Sequence, residues 1–400
     1  MSTTLKGNAV VGQSGGPTAV INQSLVGVVE EVCGHDCIKT LYGAVHGVQG
    51  IMDEQFVDLK KVSKERLDVV ANSPSSALGT SRLKPDKELC GRIFEVFQKH
   101  DIRYFFYIGG NDSASSAQIV NALANEAGYE LRVFHVPKTI DNDLLVTDHC
   151  PGYGSAALFV ASALIGDDLD NRALPGIKID IIMGRHAGFL TAAAMLARRK
   201  EEDGPHLVYV PERPISLDQF CTDVLGNYEK RGRCMVVASE GITDENGVAW
   251  AQRIQEEVEA DAHGNIQLSG TGALADFLVA KLKERLPKKS RVRADTFGYL
   301  QRSFPGIVSR VDAEEARLCG RMAVRYAVSE NVDGSVSMRR TGTGENYAIE
   351  TFVTELESVA VKTKSLPAEF INAAGNNITD SFRDYAGPLV GPLPEVDYLG

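Results

Sequence analysis

Two carboxylates stand two residues apart in Pro137–Asp143, whose sequence is Pro-Lys-Thr-Ile-Asp-Asn-Asp. One of the two, Asp141 or Asp143, could take the proton from an attacking hydroxyl while the other helps to hold a metal ion. Lys138 could offset negative charge on a transferring group. Phosphoryl transfer can use this combination, although a solvated turn rich in Asp and Asn would have the same sequence.

A second polar segment, Gly109–Ser113, follows the aromatic run Tyr104–Tyr107. Asn111 and Asp112 carry oxygens that Mg²⁺ can accept directly or through water. Asp112 or Ser113 could instead cap the helix that follows. The segment therefore predicts either a magnesium site or a helix cap.

Two turns are suited to phosphate. Gly15 and Gly16 lie between a predicted strand and a predicted helix, where backbone N–H groups can approach an anion. No Gly-Lys-Ser/Thr sequence follows them, so the turn is not a Walker A motif. Arg82 ends a turn of small residues, and its guanidinium offers paired donors to phosphate oxygens. A tight strand-to-helix turn and a surface arginine are the ordinary alternatives.

Three later segments repeat one pattern, a strand followed by a turn with a charged residue suited to a sugar phosphate. They are Met183-Gly184-Arg185, the turn at Glu240, and the segment with Arg293, Tyr299 and Arg302. Each alone is typical of a cap or a surface turn. Their repetition favours a site for a sugar phosphate.

Short apolar runs predict the strands that position these residues: Asn8–Gly12, Tyr104–Ile108, Arg132–Val136, Ile179–Met183, Leu207–Val210 and Arg233–Ser239. Helical patterns lie between them: Ala19–Val32, Ser113–Asn125, Ser155–Ala173, His186–Arg199 and Leu217–Arg231. This alternation predicts an α/β fold with a parallel sheet buried on both faces. Ligands of such sheets bind beyond the carboxyl ends of the strands, where the polar motifs fall.

Composition narrows the class of protein. The 400 residues, 44% of them apolar, allow a sizeable core and either two or three domains or one large α/β body with lobes. The net charge of −11 argues against general nucleic-acid binding but allows a few cations to hold a small anion. Seven scattered cysteines indicate reduced thiols. No apolar run reaches about 18 residues and no signal peptide is evident, so we expect a cytoplasmic protein without a membrane helix.

Taken in order, from about Asn8 to about Leu318, the motifs resemble those of the bacterial-type phosphofructokinases. The resemblance implies two Rossmann-like parallel-sheet lobes with the active site in the cleft between them. It implies a lobe for the phosphate donor and metal at 1–150, a lobe for the sugar phosphate at 151–320, and a C-terminal extension at 321–400 that packs back on the body.

The resemblance also implies roles for individual residues. Those for catalysis are Asp141, Lys138, Asp112 and Arg82. Those for binding the donor are Gly15, Gly16, Asn111, Asp112 and Lys138, with Mg²⁺ held through Asn111 and Asp112. Those for binding the sugar phosphate are Thr139, Ile140, Asp141, Met183, Gly184, Arg185, Glu240, Arg293, Tyr299 and Arg302.

Two positions indicate the phosphoryl donor. Family members that use ATP typically carry Gly where this chain has Asp112 and Lys138, and members that use pyrophosphate carry Asp and Lys. A carboxylate at 112 would repel the α-phosphate of ATP. The implied reaction is a reversible transfer from pyrophosphate to O1 of fructose 6-phosphate in glycolysis. ATP as the donor and sedoheptulose 7-phosphate as the acceptor are the alternatives.

Three positions depart from the family pattern. Asn111 stands where most members carry Asp. Gly176 stands where ATP-using bacterial members carry an Arg that reaches a neighbouring subunit, a contact that Lys178 could replace. Val26 stands where allosteric members bind an effector through Arg.

The resemblance further implies a homodimer or homotetramer. Two hypotheses from other classes are a regulatory subunit that only binds sugar phosphate and a nicotinamide-dependent oxidoreductase. The presence of Asp141 argues against the first. No G-x-G-x-x-G stands at the first strand–helix turn, which argues against the second.

Overall fold

The computed structural model describes residues 4–83, 85–259, 272–360 and 362–399. Its strands are β1 Gly7–Gln13, β2 Ile38–Ala44, β3 Phe56–Asp58, β4 Ile102–Gly109, β5 Arg132–Pro137, β6 Ile177–Ile182, β7 Leu207–Tyr209, β8 Cys234–Ser239, β9 Val292–Thr296, β10 Gly334–Arg340 and β11 Ile349–Thr354. Its α-helices are α1 Ile21–Cys33, α2 Val48–Met52, α3 Lys64–Ala71, α4 Lys87–Lys99, α5 Asn111–Glu126, α6 Tyr153–Ala173, α7 Phe189–Ala192, α8 Leu217–Arg231, α9 Trp250–Glu259, α10 Ala273–Lys283, α11 Arg310–Arg325, α12 Leu356–Ala360 and α13 Ser381–Val390.

The chain forms two compact units, and each is built from two stretches of sequence. The first comprises the residues up to Ser155 together with Arg302–Lys364. The second comprises Ala156–Gln301 together with the residues from Ser365 onward. The division into a donor lobe, a sugar-phosphate lobe and a C-terminal extension stays a prediction.

The first unit is built on a seven-stranded sheet with the order β11-β10-β5-β4-β1-β2-β3. Its five inner strands run parallel, whereas β3 and β11 pair antiparallel at the two edges. The sheet is therefore mixed rather than purely parallel as expected. Its central strand β4 is buried along almost its whole length, because Tyr104–Tyr107 supply an apolar side chain to each face.

The second unit contains a four-stranded parallel sheet with the order β7-β8-β6-β9. Every residue of β6 and β8 is buried, which matches the apolar runs that predicted them. The helices α8 and α10 pack their apolar residues on this sheet, among them Phe220, Val224 and Leu278. The expected α/β class is thus confirmed in both units.

One predicted helix is wrong. Residues 186–199 form only the short α7, followed by a 3₁₀ turn over Ala193–Ala197. Phe189–Ala197 is buried throughout, so tertiary packing rather than alanine propensity sets its conformation. Within the described ranges no helix is both long and apolar enough to cross a bilayer.

Candidate active site

Three loops of the first unit emerge side by side because they follow neighbouring strands. β5, β4 and β1 are adjacent and parallel, so the residues after them leave the sheet at the same edge. Backbone pairing continues past the strand ends, where the N–H of Lys138 donates to the carbonyl of Gly109 at 3.0 Å. The sheet thus brings the predicted donor-binding and acidic segments together.

The two glycines after β1 let cations approach the backbone. Gly15 has a φ of +75°, and a Cβ there would lie 3.2 Å from Nζ of Lys138. A Cβ on Gly16 would lie 2.8 Å from Nη1 of Arg302. The Lys138 ammonium donates to the carbonyl of Gly16 at 2.8 Å. Side chains at 15 and 16 would displace the charges that an anion needs in this loop.

Lys138 is the most buried cation of the site, with 3% of its surface exposed. Its pKa is lowered to about 8, chiefly by burial and then by the positive charge of Arg302. Asp141 and Asp143 oppose this shift, and Arg82 adds to it. Three cations and two carboxylates therefore lie close enough to interact. A ligand with several negative charges would compensate the cations.

Sequence reasoning missed Gln13, which positions the turn that carries Arg82. Gln13 is fully buried at the end of β1, and its Oε1 accepts the N–H of Leu78 at 3.0 Å. The Thr80 hydroxyl donates to the carbonyl of Gly15 at 2.7 Å. The arginine turn is thereby held against the glycine loop. A polar residue that ends an apolar strand was the available signal.

His135 was also missed, because a histidine inside a predicted strand gives no sequence signal. It is fully buried, and its Nε2 lies 2.8 Å from the carbonyl of Gly109. Since a carbonyl only accepts, Nε2 carries the proton and Nδ1 accepts from the Ser335 hydroxyl at 2.8 Å. Burial lowers the pKa of His135 to about 4, so the ring is neutral beside Lys138.

Helix α5 begins at Asn111, and Gly110 occupies its cap position without a side-chain hydrogen bond. Neither Asp112 nor Ser113 caps the helix, so the capping alternative is wrong. Asp112 lies exposed in the first turn, where the helix dipole favours a negative charge. Ser113 is buried.

The acidic segment after β5 alternates between buried and accessible side chains. Ile140 and Asn142 are buried, and the side chain of Asn142 accepts the N–H of Cys150 at 2.9 Å. Asp141 and Asp143 are partly exposed. The hydroxyl of Thr139 accepts the N–H of Asp141 at 3.1 Å. Anchoring by the buried residues thus presents both carboxylates on the accessible side.

In the second unit most of the predicted sugar-phosphate residues follow β6, β8 or β9, which are neighbours in the sheet, whereas Arg293 lies within β9 itself. The N–H of Met183 donates to the side chain of the buried Gln301 at 3.3 Å. Gly184 has a φ of +144°, and a Cβ there would lie 2.7 Å from a backbone carbonyl. Arg185 is exposed and Glu240 is partly exposed.

The remaining predicted contacts are divided between the two units. Arg293 forms an ion pair with Asp170 at 2.6 Å, and Tyr299 is exposed, both in the second unit. Arg302 belongs to the first unit and lies beside Gly16 and Lys138. Its guanidinium is thus close to the donor-binding loop as well as being a predicted sugar-phosphate contact.

Lys178 is already held inside its own unit. Its ammonium lies 2.8 Å from Asp167 and 3.3 Å from Asp180, and it also pairs with Asp295. These three carboxylates could by their spacing surround a cation, and the Lys178 ammonium supplies one. The lysine that could have replaced the missing inter-subunit arginine is therefore engaged with its own chain.

Polar loops at the carboxyl edges of two α/β sheets, together with a cluster of cations, are typical of an enzyme that acts on phosphorylated substrates. Comparison with known families identifies the family. The phosphofructokinase family model matches residues 8–327, and the chain belongs to that family. A pyrophosphate–fructose 6-phosphate 1-phosphotransferase of Rhodospirillum rubrum is 54% identical over 386 residues, which cover 96% of this chain and 95% of that protein.

Two further relatives are similar over nearly the whole chain. A protein of the same name from Xanthomonas campestris pv. campestris is 38% identical over 393 residues, or 96% of this chain and 91% of that protein. The crystal structure of a pyrophosphate-dependent phosphofructokinase from Nitrosospira multiformis superimposes with a TM-score of 0.84 at 32% identity, covering 98% of this chain and 94% of that one.

Proposed function

We propose that this protein transfers a phosphoryl group from pyrophosphate to O1 of fructose 6-phosphate, giving fructose 1,6-bisphosphate and phosphate. The observation that carries the proposal is the buried Lys138, whose ammonium lies on the glycine loop at 2.8 Å and within the electrostatic reach of Asp141. The relative with 54% identity bears the name of this activity.

Asp141 is the general base in this reaction. It takes the proton of the C1 hydroxyl as O1 forms a bond to one phosphorus of pyrophosphate, while the bridging P–O bond breaks and phosphate leaves. The cations Lys138 and Arg82 stabilise the charge that develops on the phosphoryl oxygens. Burial is the main cause of the low pKa of Lys138, and the negative charge of a bound anion would oppose that shift.

We further propose that Asp112, together with Asn111, contributes oxygen ligands to Mg²⁺, with Asp141 and Asp143 as further candidates. The donor set fits this ion, because Mg²⁺ keeps several waters and binds through one or two carboxylates and the phosphates of its substrate. A bound Mg²⁺ would offset phosphate charge. Asp112 is exposed and Asp141 and Asp143 are partly exposed, so these carboxylates are accessible to an ion from solution.

The sugar phosphate is assigned to the loops of the second unit and to Thr139 and Ile140. Arg185 and Arg293 supply positive charge for its phosphate, and Glu240 can accept hydrogen bonds from sugar hydroxyls. The exposed ring of Tyr299 adds a hydroxyl donor. Met183 and Gly184 shape the turn that carries Arg185.

Donor choice is tested by a coupled assay with fructose 6-phosphate, Mg²⁺ and either pyrophosphate or ATP. We expect turnover with pyrophosphate and little with ATP, because the exposed carboxylate of Asp112 would repel the α-phosphate of a nucleotide. Turnover with ATP alone would refute the donor assignment. The double variant Asp112→Gly, Lys138→Gly should lose pyrophosphate turnover.

The identity of the sugar phosphate acceptor and the oligomeric state of the protein are two further proposals. Fructose 6-phosphate is the proposed acceptor, and supplying sedoheptulose 7-phosphate in the same assay compares the two by kcat/KM. The protein is proposed to form a homodimer or homotetramer, which light scattering of the purified protein would measure. A monomer that turns over at full rate would refute the oligomer and leave the chemistry intact.

A further inference from the structure

A short C-terminal segment of the first unit, Lys362–Lys364, lies against two of the proposed active-site loops. The side-chain amide of Asn111 donates from Nδ2 to the carbonyl of Lys362 at 3.1 Å. Thr363 forms an antiparallel bridge with Leu144. The N–H of Lys364 donates to the carbonyl of Asp143 at 2.7 Å. We call Lys362–Lys364 the tether.

The end of the tether is anchored by the side chain of Lys364. Its ammonium donates to the carbonyls of Thr147 at 3.1 Å and Asp148 at 2.8 Å. Lys364 is partly exposed, and desolvation of its ammonium lowers the pKa of the side chain. Backbone and side chain of one residue therefore hold both ends of the loop that runs from Asp143 to Asp148.

Packing joins the same elements. A small apolar cluster contains Ala114 of α5, Val359 of α12, and Leu144 and Cys150 of the loop between β5 and α6, residues 138–152, which we call the acidic loop. In addition, the hydroxyl of Ser115 donates to the carbonyl of Ala360 at 3.1 Å. The beginning of α5, the acidic loop, α12 and the tether are thus linked by packing and hydrogen bonds.

We propose that the tether is a positioning element for phosphoryl transfer and that Asn111 acts through it. The inference rests on the proposed function, since it assigns Asp141 as the base. Asn111 fixes the tether to the first turn of α5, and the tether fixes the backbone two and three residues after Asp141. The amide at 111 can donate to the carbonyl of Lys362, whereas a carboxylate there would face that carbonyl with a second acceptor.

The variant Asn111→Asp separates this role from metal binding. If residue 111 serves mainly as a magnesium ligand, a carboxylate should bind Mg²⁺ more tightly and raise activity at low Mg²⁺. If it serves the tether, kcat should fall about 10- to 100-fold, because small displacements of catalytic groups have effects of that size. The KM for fructose 6-phosphate should change little. Asn125→Asp makes the same change at an exposed site near the end of α5 and should behave as wild type.

Hydrogen exchange reports the tether without requiring turnover. In Asn111→Asp, the amides of residues 362–364 should exchange faster than in wild type and in Asn125→Asp. Unchanged exchange, with kcat within about twofold of wild type, would overturn the proposal. Wild-type protein that bound substrates but did not turn over would refute the proposed function, and the exchange result would still test the tether.

A second variant covers the case in which Asn111→Asp does not fold. Lys364→Met removes the bonds of the ammonium to the carbonyls of Thr147 and Asp148 and keeps the backbone bond to Asp143. Its kcat should also fall with little change in KM. Where both variants fold, the double variant should lose no more than the worse single one, because the two act through one element. Independent losses that multiply would overturn the proposal, as would a Lys364→Met enzyme with wild-type kcat.

Discussion

Asp141 combines the features that a general base needs. Its side chain is partly exposed, its N–H is held by the Thr139 hydroxyl, and the next residue anchors the turn in the core. We expect Asp141→Asn to lower kcat by about 10²- to 10⁴-fold, since proton transfer to a positioned base contributes that much. The KM for fructose 6-phosphate should change far less.

The control for this prediction is Asp143→Asn, two residues away. It removes the same charge from the same turn without removing the proposed base, so it should retain more activity and show a larger change in Mg²⁺ dependence. A circular dichroism melt would check that both variants are folded. Equal losses in the two variants would contradict a special role for Asp141.

The lowered pKa of Lys138 predicts that activity with pyrophosphate depends on pH. Its pKa of about 8 means that the free enzyme loses this cation as the pH rises through 8. We therefore expect kcat/KM for pyrophosphate to fall on the alkaline side in wild type. In Lys138→Arg the side chain stays charged at all working pH values. Its kcat/KM for pyrophosphate should therefore not fall on the alkaline side, even if the maximum value is lower than in wild type. Because ionisation of pyrophosphate affects both enzymes equally, identical profiles would contradict the assignment.

At the scale of elements, a network of buried charged side chains connects the acidic loop to neighbouring elements. The ring of His149 lies between two carboxylates, with Nδ1 at 2.8 Å from Asp148 and Nε2 at 2.6 Å from Glu315 of α11. Tyr347 donates to Glu315 at 2.6 Å, and Arg340 pairs with Asp148 at 3.0 Å. These bonds connect the loop to α11, to β10 and to the segment before β11.

Burial alone would lower the pKa of His149, but its bonds to Asp148 and Glu315 outweigh burial and raise it above the ordinary 6.5. A raised pKa means that the imidazolium stabilises the fold fully below 6.5 and that this stability is lost as the pH rises through the folded-state pKa. We expect the difference in melting temperature between wild type and His149→Gln to be largest near pH 6 and to shrink toward higher pH.

The matched control is His186→Gln, at an exposed histidine. It should melt like wild type at every pH. A difference for His149→Gln that grows with pH would contradict the assigned protonation state. A constant difference would mean that the ring contributes by packing alone.

The elements that the sequence predicted well are those in which one physical cause dominates. The buried runs of β4, β6 and β8 contain little but apolar residues, so their pattern is decisive. The short edge strands β3 and β11 lack such a run and were not predicted. Gln13 and His135 escaped prediction because their roles depend on partners 65 and 200 residues away in sequence. The bond from Asn111 to the carbonyl of Lys362 also escaped prediction, because its partner lies 251 residues away in sequence.

At the scale of the whole molecule, the chain passes from the second unit to the first at Arg302 and returns at Ser365. The returning C-terminal residues add buried side chains to the second unit. Phe382 of α13 is fully buried, and its ring lies edge-on to Phe370 with centroids 5.2 Å apart. Asn376 accepts the N–H of Val208 through its backbone carbonyl at 2.9 Å. The second unit therefore depends on residues beyond the family model's match, which ends at 327.

The stability of the second unit should consequently respond to a substitution in its C-terminal segment. Phe382→Ala removes a fully buried aromatic side chain, which should lower the free energy of unfolding by about 3–5 kcal/mol. The chain has one tryptophan, Trp250, which is buried in the same unit against Phe220. Its fluorescence during urea unfolding therefore reports on this unit, and the unfolding midpoint of Phe382→Ala should lie at a lower urea concentration than that of wild type.

The control is Leu399→Ala, at a fully exposed side chain, which should leave the midpoint unchanged. If Phe382→Ala and Leu399→Ala unfolded at the same urea concentration, the C-terminal residues would not be part of that core.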